Sequence, residues 1–145
     1  MVRTGGEAMK PVEMTIKHDP AQGKTGDCFR CCIASLLELR AEDVPHFMDP
    51  YDATDGKWYV DLIAWLAKRG LSYLEFNVPA EIHGNWFSGI AQGGFDCYHL
   101  LSGISPRARH TVVARNGVMV HDPAPQKTGL IGPYIDGDQD RKSVV

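Results

Sequence analysis

Residues 26–39 constrain the fold of this chain more than any other stretch of the sequence. The stretch opens with Gly26-Asp27-Cys28, and its later strongly polar positions are Arg30, Ser35 and Glu38. A helix that is apolar on nearly every face is normally buried. The sequence therefore predicts a buried central helix, with Asp27 as its N-cap and Cys28 in its first turn.

A cysteine in the first turn of a buried helix favours a nucleophile. The free N–H groups and the dipole at a helix start stabilise the thiolate, which is the reactive form of cysteine. We therefore expect Cys28 to be functional, whereas Cys31, Cys32 and Cys97 are predicted to be buried structural side chains. Four cysteines, three of them close together, do not suit a disulfide framework.

Length and charge narrow the class of protein. The 145 residues fit one domain over 1–145, with 1–11 and 136–145 expected to be flexible. A formal net charge of -3 without a Lys/Arg cluster argues against nucleic acid as a partner. The apolar runs are too short to cross a bilayer, and the N-terminus lacks an apolar signal core. We therefore expect no membrane partner and a cytoplasmic protein.

The predicted helices lie mostly before the predicted strands. A second helix is predicted over 57–69, because apolar side chains recur on one face at Trp58, Leu62, Ile63, Trp65 and Leu66. Strands are predicted over 12–18, 71–78, 98–104, 110–115 and 118–122, with a last short one near 130–131 or 134–135. A long loop is predicted over 79–96. The fold class is therefore α+β, with both helices packed on a C-terminal antiparallel sheet.

The last third of the chain offers an acid–base pair. Asn116-Gly117 predicts a two-residue hairpin turn, and in its register His110 faces position 123, one residue from Asp122. A carboxylate there can bond one imidazole nitrogen and leave the other to act as a base. Together with Cys28, the pair would supply a nucleophile, a base and an orienting group.

Other residues compete for, or add to, these roles. Gln22 lies six residues before Cys28 and can donate its amide to a developing oxyanion, together with the Cys28 N–H. His99 and His121 are alternative bases, whereas solvated positions are expected for His18, His46 and His83.

Several short motifs resemble those of papain-like cysteine peptidases: Gln22, Gly26-Asp27-Cys28, His110 and His121-Asp122-Pro123. They are most similar to those of the compact bacterial branch that includes bacteriocin leader-processing peptidases, and to small bacterial and phage proteins with Gly-Asp-Cys and His-Asp-Pro motifs. The resemblance covers residues from about 22 to 125. It implies a papain-like fold with Cys28 as nucleophile, His110 as general base and acid, Asp122 as orienting residue and Gln22 as oxyanion donor. No cofactor and no metal are implied.

The chain departs from this family at two points. Phe29 and Arg30 follow the cysteine where the processing peptidases usually have small residues, which predicts a restricted cleft. The chain is also short, so few subsites are expected.

The sequence therefore predicts a cysteine-dependent hydrolase or acyltransferase, of the thiol protease type. Its target would be an amide, isopeptide or thioester bond in a peptide, a protein or a small amide. An alternative is a non-catalytic binding or inhibitor module with the same fold; a depressed pKa of Cys28 would favour the enzyme. Two further alternatives use Cys28 and Cys31 together: a metal site completed by His99, His110 or His121, and a redox pair, for which no βαβ context precedes the cysteines.

Overall fold

The structure, a computed structural model, describes residues 3–4, 9–49, 56–79, 96–132, 134–136 and 139–144. Within these residues there are two α-helices, α1 (Cys28–Leu37) and α2 (Lys57–Ala67), and short 3-10 turns at Pro20–Gln22 and Ala41–Asp43. The described strands are β1 (Arg3–Thr4), β2 (Phe76–Pro79), β3 (Cys97–Ile104), β4 (Arg109–Arg115), β5 (Val118–His121), β6 (Tyr134–Asp136) and β7 (Gln139–Val144). The predicted α+β class is confirmed.

The strands form one antiparallel sheet with the order β2-β7-β3-β4-β5, in which β1 also pairs with β3 and β6 with β7. Asn116 and Gly117, with φ of 51° and 83°, form the tight turn between β4 and β5 that the sequence predicts. The predicted pairing of Arg115 with Val118 is confirmed, but a bulge then shifts the register so that Val113 faces His121.

Helix α1 is the buried central helix that the sequence predicts. Its inner residues share one core with the buried face of α2 and with the sheet, and this core includes Ile33, Leu36, Leu62, Leu66, Leu100 and Val113. Trp58, Ile63 and Trp65 are partly buried against the same core, as predicted for the apolar face of α2. No helix within the described residues combines the length and apolar character that a membrane span requires.

The prediction that Asp27 caps α1 with its side chain is wrong. The Asp27 carboxylate is fully buried and accepts hydrogen bonds from the Ile16 N–H (3.0 Å), the Thr15 N–H (3.2 Å) and the Thr15 hydroxyl (2.8 Å). These donors belong to Thr15 and Ile16, which lie outside any strand and so have no ladder partner for their N–H groups. The carboxylate therefore accepts hydrogen bonds from these N–H groups rather than from the first turn of the helix.

The strand predicted over 12–18 is also absent, although its alternating burial is present. The segment bends at Thr15 and Ile16, and its backbone groups bond to single partners instead of a ladder. The Val12 N–H donates to Ser35 Oγ (2.9 Å), and the Met14 N–H donates to the Pro123 carbonyl (2.9 Å). His121 Nε2 donates to the Val12 carbonyl (2.9 Å). The segment therefore connects α1 to the end of β5.

Two predictions about the ends of strands and the chain need correction. Residues 136–145 were expected to be flexible, but Gln139–Val144 forms β7 between β2 and β3. Backbone pairing with two strands stabilises this stretch although its polar side chains give no alternating pattern. Similarly, Arg3–Thr4 pairs with β3 within the stretch 1–11, and β2 begins only at Phe76 rather than at residue 71. Most of the loop predicted over 79–96 lies outside the described residues.

Candidate active site

A glycine allows the chain to pack closely at the start of α1. A Cβ atom at Gly26 would lie 3.0 Å from the backbone nitrogen of His18 and 3.2 Å from Met14 Cε. These distances are tighter than side chains normally tolerate, so glycine lets residues 14–18 lie directly against the turn that precedes Cys28.

The thiol of Cys28 lies between the start of α1 and strand β4. Burial raises the pKa of this thiol most strongly, and the charges of Asp27 and Asp122 raise it further. Hydrogen bonds from the backbone N–H groups of Thr111 and Phe29 lower the pKa, but the net value stays above the ordinary 9.0. Burial therefore outweighs the stabilisation of the thiolate that was expected at the helix start. At neutral pH the resting sulfur is a protonated thiol.

His110 and Asp122 form the pair that the sequence predicts. His110 Nε2 lies 2.7 Å from Asp122 Oδ1, and both side chains are buried. Oδ1 also accepts from the Ala124 N–H and Oδ2 from the Gly129 N–H, each at 2.8 Å. The carboxylate is thereby fixed in place at the end of β5.

These contacts assign the proton on the imidazole ring. Burial by itself raises the pKa of Asp122, but the hydrogen bonds from His110, Ala124 and Gly129 outweigh it, so the net pKa lies below the ordinary value. An ionised carboxylate can only accept, so His110 Nε2 must donate to it. In the neutral ring the Nδ1 atom then carries the lone pair, as a general base requires.

Cys28 and His110 line the same cleft between α1 and β4. A cavity of about 500 Å³ and a smaller one of about 90 Å³ both include these two residues in their walls. Asp122 lies behind His110, bonded to its Nε2. The structure thus brings the predicted nucleophile, base and orienting residue together, while direct hydrogen bonding between Cys28 and His110 stays a prediction.

The other histidines take different positions. His99 is buried in β3, and His121 bonds to Val12; neither belongs to the described residues that line the two cavities. His46 bonds to the Thr25 carbonyl through Nε2 at 3.0 Å, and His83 lies outside the described residues. His18 is exposed but lines both cavities beside Cys28. Sequence reasoning missed this placement, and its one signal is Gly26, which permits the close approach.

Gln22 is not brought to the nucleophile. It ends the 3-10 turn Pro20–Gln22, is exposed, and is not among the described residues that line either cavity. Its role as oxyanion donor stays a prediction. The backbone N–H groups that lower the pKa of the Cys28 thiol are those of Phe29 and Thr111, which no sequence motif indicated.

The remaining cysteines are structural, as predicted. Cys31 and Cys32 are fully buried; Cys31 Sγ donates to the Glu13 carbonyl (3.4 Å) and Cys32 Sγ to the Thr111 carbonyl (3.3 Å). Cys97 is buried in β3. Cys28 and Cys31 thus face different partners, and the described part of the chain contains no cluster of three His, Cys, Asp or Glu residues suited to a metal ion.

Phe29 and Arg30, the two residues expected to restrict the cleft, take different positions. Phe29 is buried and forms part of the wall of the larger cavity. Arg30 Nε donates to the Ala41 carbonyl at 2.6 Å, and Arg30 is not among the described residues that line the cavities.

Comparisons with protein-family models, with curated proteins and with solved structures find no match to this chain.

Proposed function

We propose that the protein is a cysteine-dependent hydrolase or acyltransferase that acts on an amide, isopeptide or thioester bond. The observation that supports this most is the buried His110–Asp122 pair in the same cleft as Cys28. Burying an imidazole and a carboxylate together costs free energy unless they bond to each other. Here the carboxylate has further backbone donors, and the imidazole lines a cavity that a substrate can enter.

The raised pKa of Cys28 determines how the first step would proceed. Because the resting sulfur is protonated, His110 Nδ1 removes the thiol proton as Sγ attacks the carbonyl carbon. A C–S bond forms, and the carbonyl electrons move to oxygen. The backbone N–H groups of Phe29 and Thr111, which already lower the pKa of the thiol, would donate to that charge. His110 then passes the proton to the leaving amine or thiol as its bond to carbon breaks.

The acyl group is released in the second step. Water or another acceptor gives its proton to His110 and attacks the acyl carbon. The C–S bond breaks, and Sγ recovers a proton from His110. Asp122 stays ionised throughout and orients the ring while the imidazolium forms.

One observation favours the alternative of a binding module with the same fold. Burial raises the pKa of the Cys28 thiol, whereas a free reactive thiol usually has a depressed pKa. In a binding module Cys28 would line the cleft without activation by His110. The two functions therefore differ in whether His110 accelerates the chemistry of Cys28.

Alkylation of the native protein at pH 7 tests this difference. With limiting iodoacetamide and peptide mapping, we expect Cys28 to be the most rapidly labelled thiol. His110→Ala should slow its labelling by about 100-fold, the low end of general-base effects. His18→Ala is the matched control, because His18 lines the same cavities without a bond to Asp122, and it should leave the rate within about twofold.

Each contrary outcome has a specific meaning. If Cys31, Cys32 or Cys97 is labelled first, Cys28 is not the nucleophile. If His110→Ala labels as fast as the parent, the proposed enzyme is wrong and the binding module replaces it. If His18→Ala causes the loss, the base is His18.

A further inference from the structure

Two cavities of unequal size adjoin Cys28. The larger one, of about 500 Å³, and the smaller one, of about 90 Å³, share wall residues that include Cys28, His110 and Gly26. A substrate with its carbonyl carbon at Cys28 Sγ can therefore place a large group only in the larger cavity.

The larger cavity has an aromatic wall. Phe29 packs edge-to-face on Trp58, with ring centroids 5.9 Å apart, and on Tyr73, with centroids 6.4 Å apart. Met48 also lines this cavity. Phe29 and Tyr73 are buried in the core, so the wall is held in place before any ligand binds. Rings and a thioether offer a surface for apolar groups.

The smaller cavity differs from the larger one chiefly in size. Ser105, Arg107, Gln126 and Thr128 line it and do not line the larger cavity. A volume of about 90 Å³ accommodates only a compact group.

On the basis of the function proposed above, we propose that the substrate carries a large apolar group, aromatic or branched aliphatic, on one side of the scissile bond. Any group that enters the smaller cavity is compact. The apolar group binds to the rings of Phe29, Trp58 and Tyr73, so Phe29, which follows the nucleophile in the sequence, is a specificity-determining residue. Such a substrate is a small amide or thioester, or the end of a peptide.

Two thiol reagents of different size test this assignment. N-benzylchloroacetamide and N-methylchloroacetamide react alike: His110 accepts the thiol proton, Sγ forms a bond to the CH₂ carbon, and chloride leaves with the C–Cl electrons. Each rate at Cys28 is divided by the rate of the same reagent with glutathione. We expect the benzyl compound to label Cys28 about tenfold faster than the methyl compound after this correction, because its ring is buried in the cavity.

Variants locate the selectivity in the larger cavity. Thr25→Trp places a large ring at a residue that lines only this cavity, and it should abolish the preference for the benzyl compound. Lys24→Trp introduces the same side chain at the adjacent exposed residue, which lines neither described cavity, and it should keep the preference. Trp58→Ala should reduce the preference, with circular dichroism used to establish that the variant is folded.

The outcomes separate this proposal from the one on which it rests. Equal corrected rates for the two reagents in the parent overturn the apolar subsite. A preference that survives in both Thr25→Trp and Trp58→Ala also overturns it. If neither reagent labels Cys28, while other thiols react, the proposed function itself fails.

Discussion

At the scale of single residues, the cleft depends on two buried carboxylates with different tasks. Asp122 bonds to His110 and fixes the proton on Nε2. Asp27 precedes Cys28 and bonds to the N-terminal segment, but its charge also raises the pKa of the Cys28 thiol. Asp27 therefore supports the fold at some cost to thiolate formation.

Asp27→Asn should separate these two effects. The amide oxygen can still accept from the Ile16 N–H, and the amide nitrogen can donate to the Thr15 hydroxyl, so the contacts survive without the charge. We expect the pH profile of Cys28 alkylation to move to lower pH, because an adjacent negative charge no longer opposes the thiolate. Asp61→Asn on the exposed face of α2 is the control. An unchanged profile in Asp27→Asn would contradict the electrostatic role.

At the scale of elements, local sequence patterns predicted helices and turns that depend on neighbouring residues. They failed to predict hydrogen-bond partners that are distant in the sequence. The apolar faces of α1 and α2 and the Asn116-Gly117 turn were all readable from neighbouring residues. The alternation over 12–18 matches the alternating burial of this segment, but the predicted strand is absent. It could not reveal that the bonding partners are Ser35, Asp27 and Pro123, because their proximity arises only from tertiary packing. The polar strand β7 carries no local signal at all.

Helix α2 offers a direct test of this core at element scale. Leu62 is fully buried between α1 and the rest of the core, so Leu62→Ala should lower the free energy of unfolding by ~2–5 kcal/mol. Val60, on the same helix, is 65% exposed, and Val60→Ala should change stability by less than ~0.5 kcal/mol. Urea denaturation measures both. Similar losses in the two variants would mean that α2 does not pack through Leu62.

At the scale of the whole molecule, the cleft joins parts of the chain that are far apart in sequence. Cys28 comes from the first helix, and the His110–Asp122 pair comes from the β4–β5 hairpin. The turn predicted that His110 and Asp122 would meet, although a bulge at Val113 changes the register that the turn alone implies. The aromatic cavity and the Thr111 N–H at the Cys28 sulfur could not be predicted, because they exist only after the helix packs on the sheet.

The His110–Asp122 pair should determine the pH below which acid destabilises the fold. The folded-state pKa of Asp122 lies below its ordinary value of 3.8, because the bonds from His110, Ala124 and Gly129 outweigh burial. A carboxyl with a depressed folded-state pKa stabilises the fold fully above its unfolded pKa. That contribution is lost as pH falls through the folded pKa. The urea midpoint of the parent should therefore drop below about pH 4.

Two variants assign that drop to the buried pair. Asp122→Asn removes the titrating group, so its urea midpoint should be lower at pH 7 but should fall less between pH 7 and pH 2.5. Asp43 also has a pKa lowered by a bond, from Arg40, but both groups are exposed. Solvent screening makes such surface pairs contribute little, so Asp43→Asn should follow the parent curve. If Asp122→Asn and the parent lose stability in parallel, the acid destabilisation comes from other carboxylates and not from the His110–Asp122 pair.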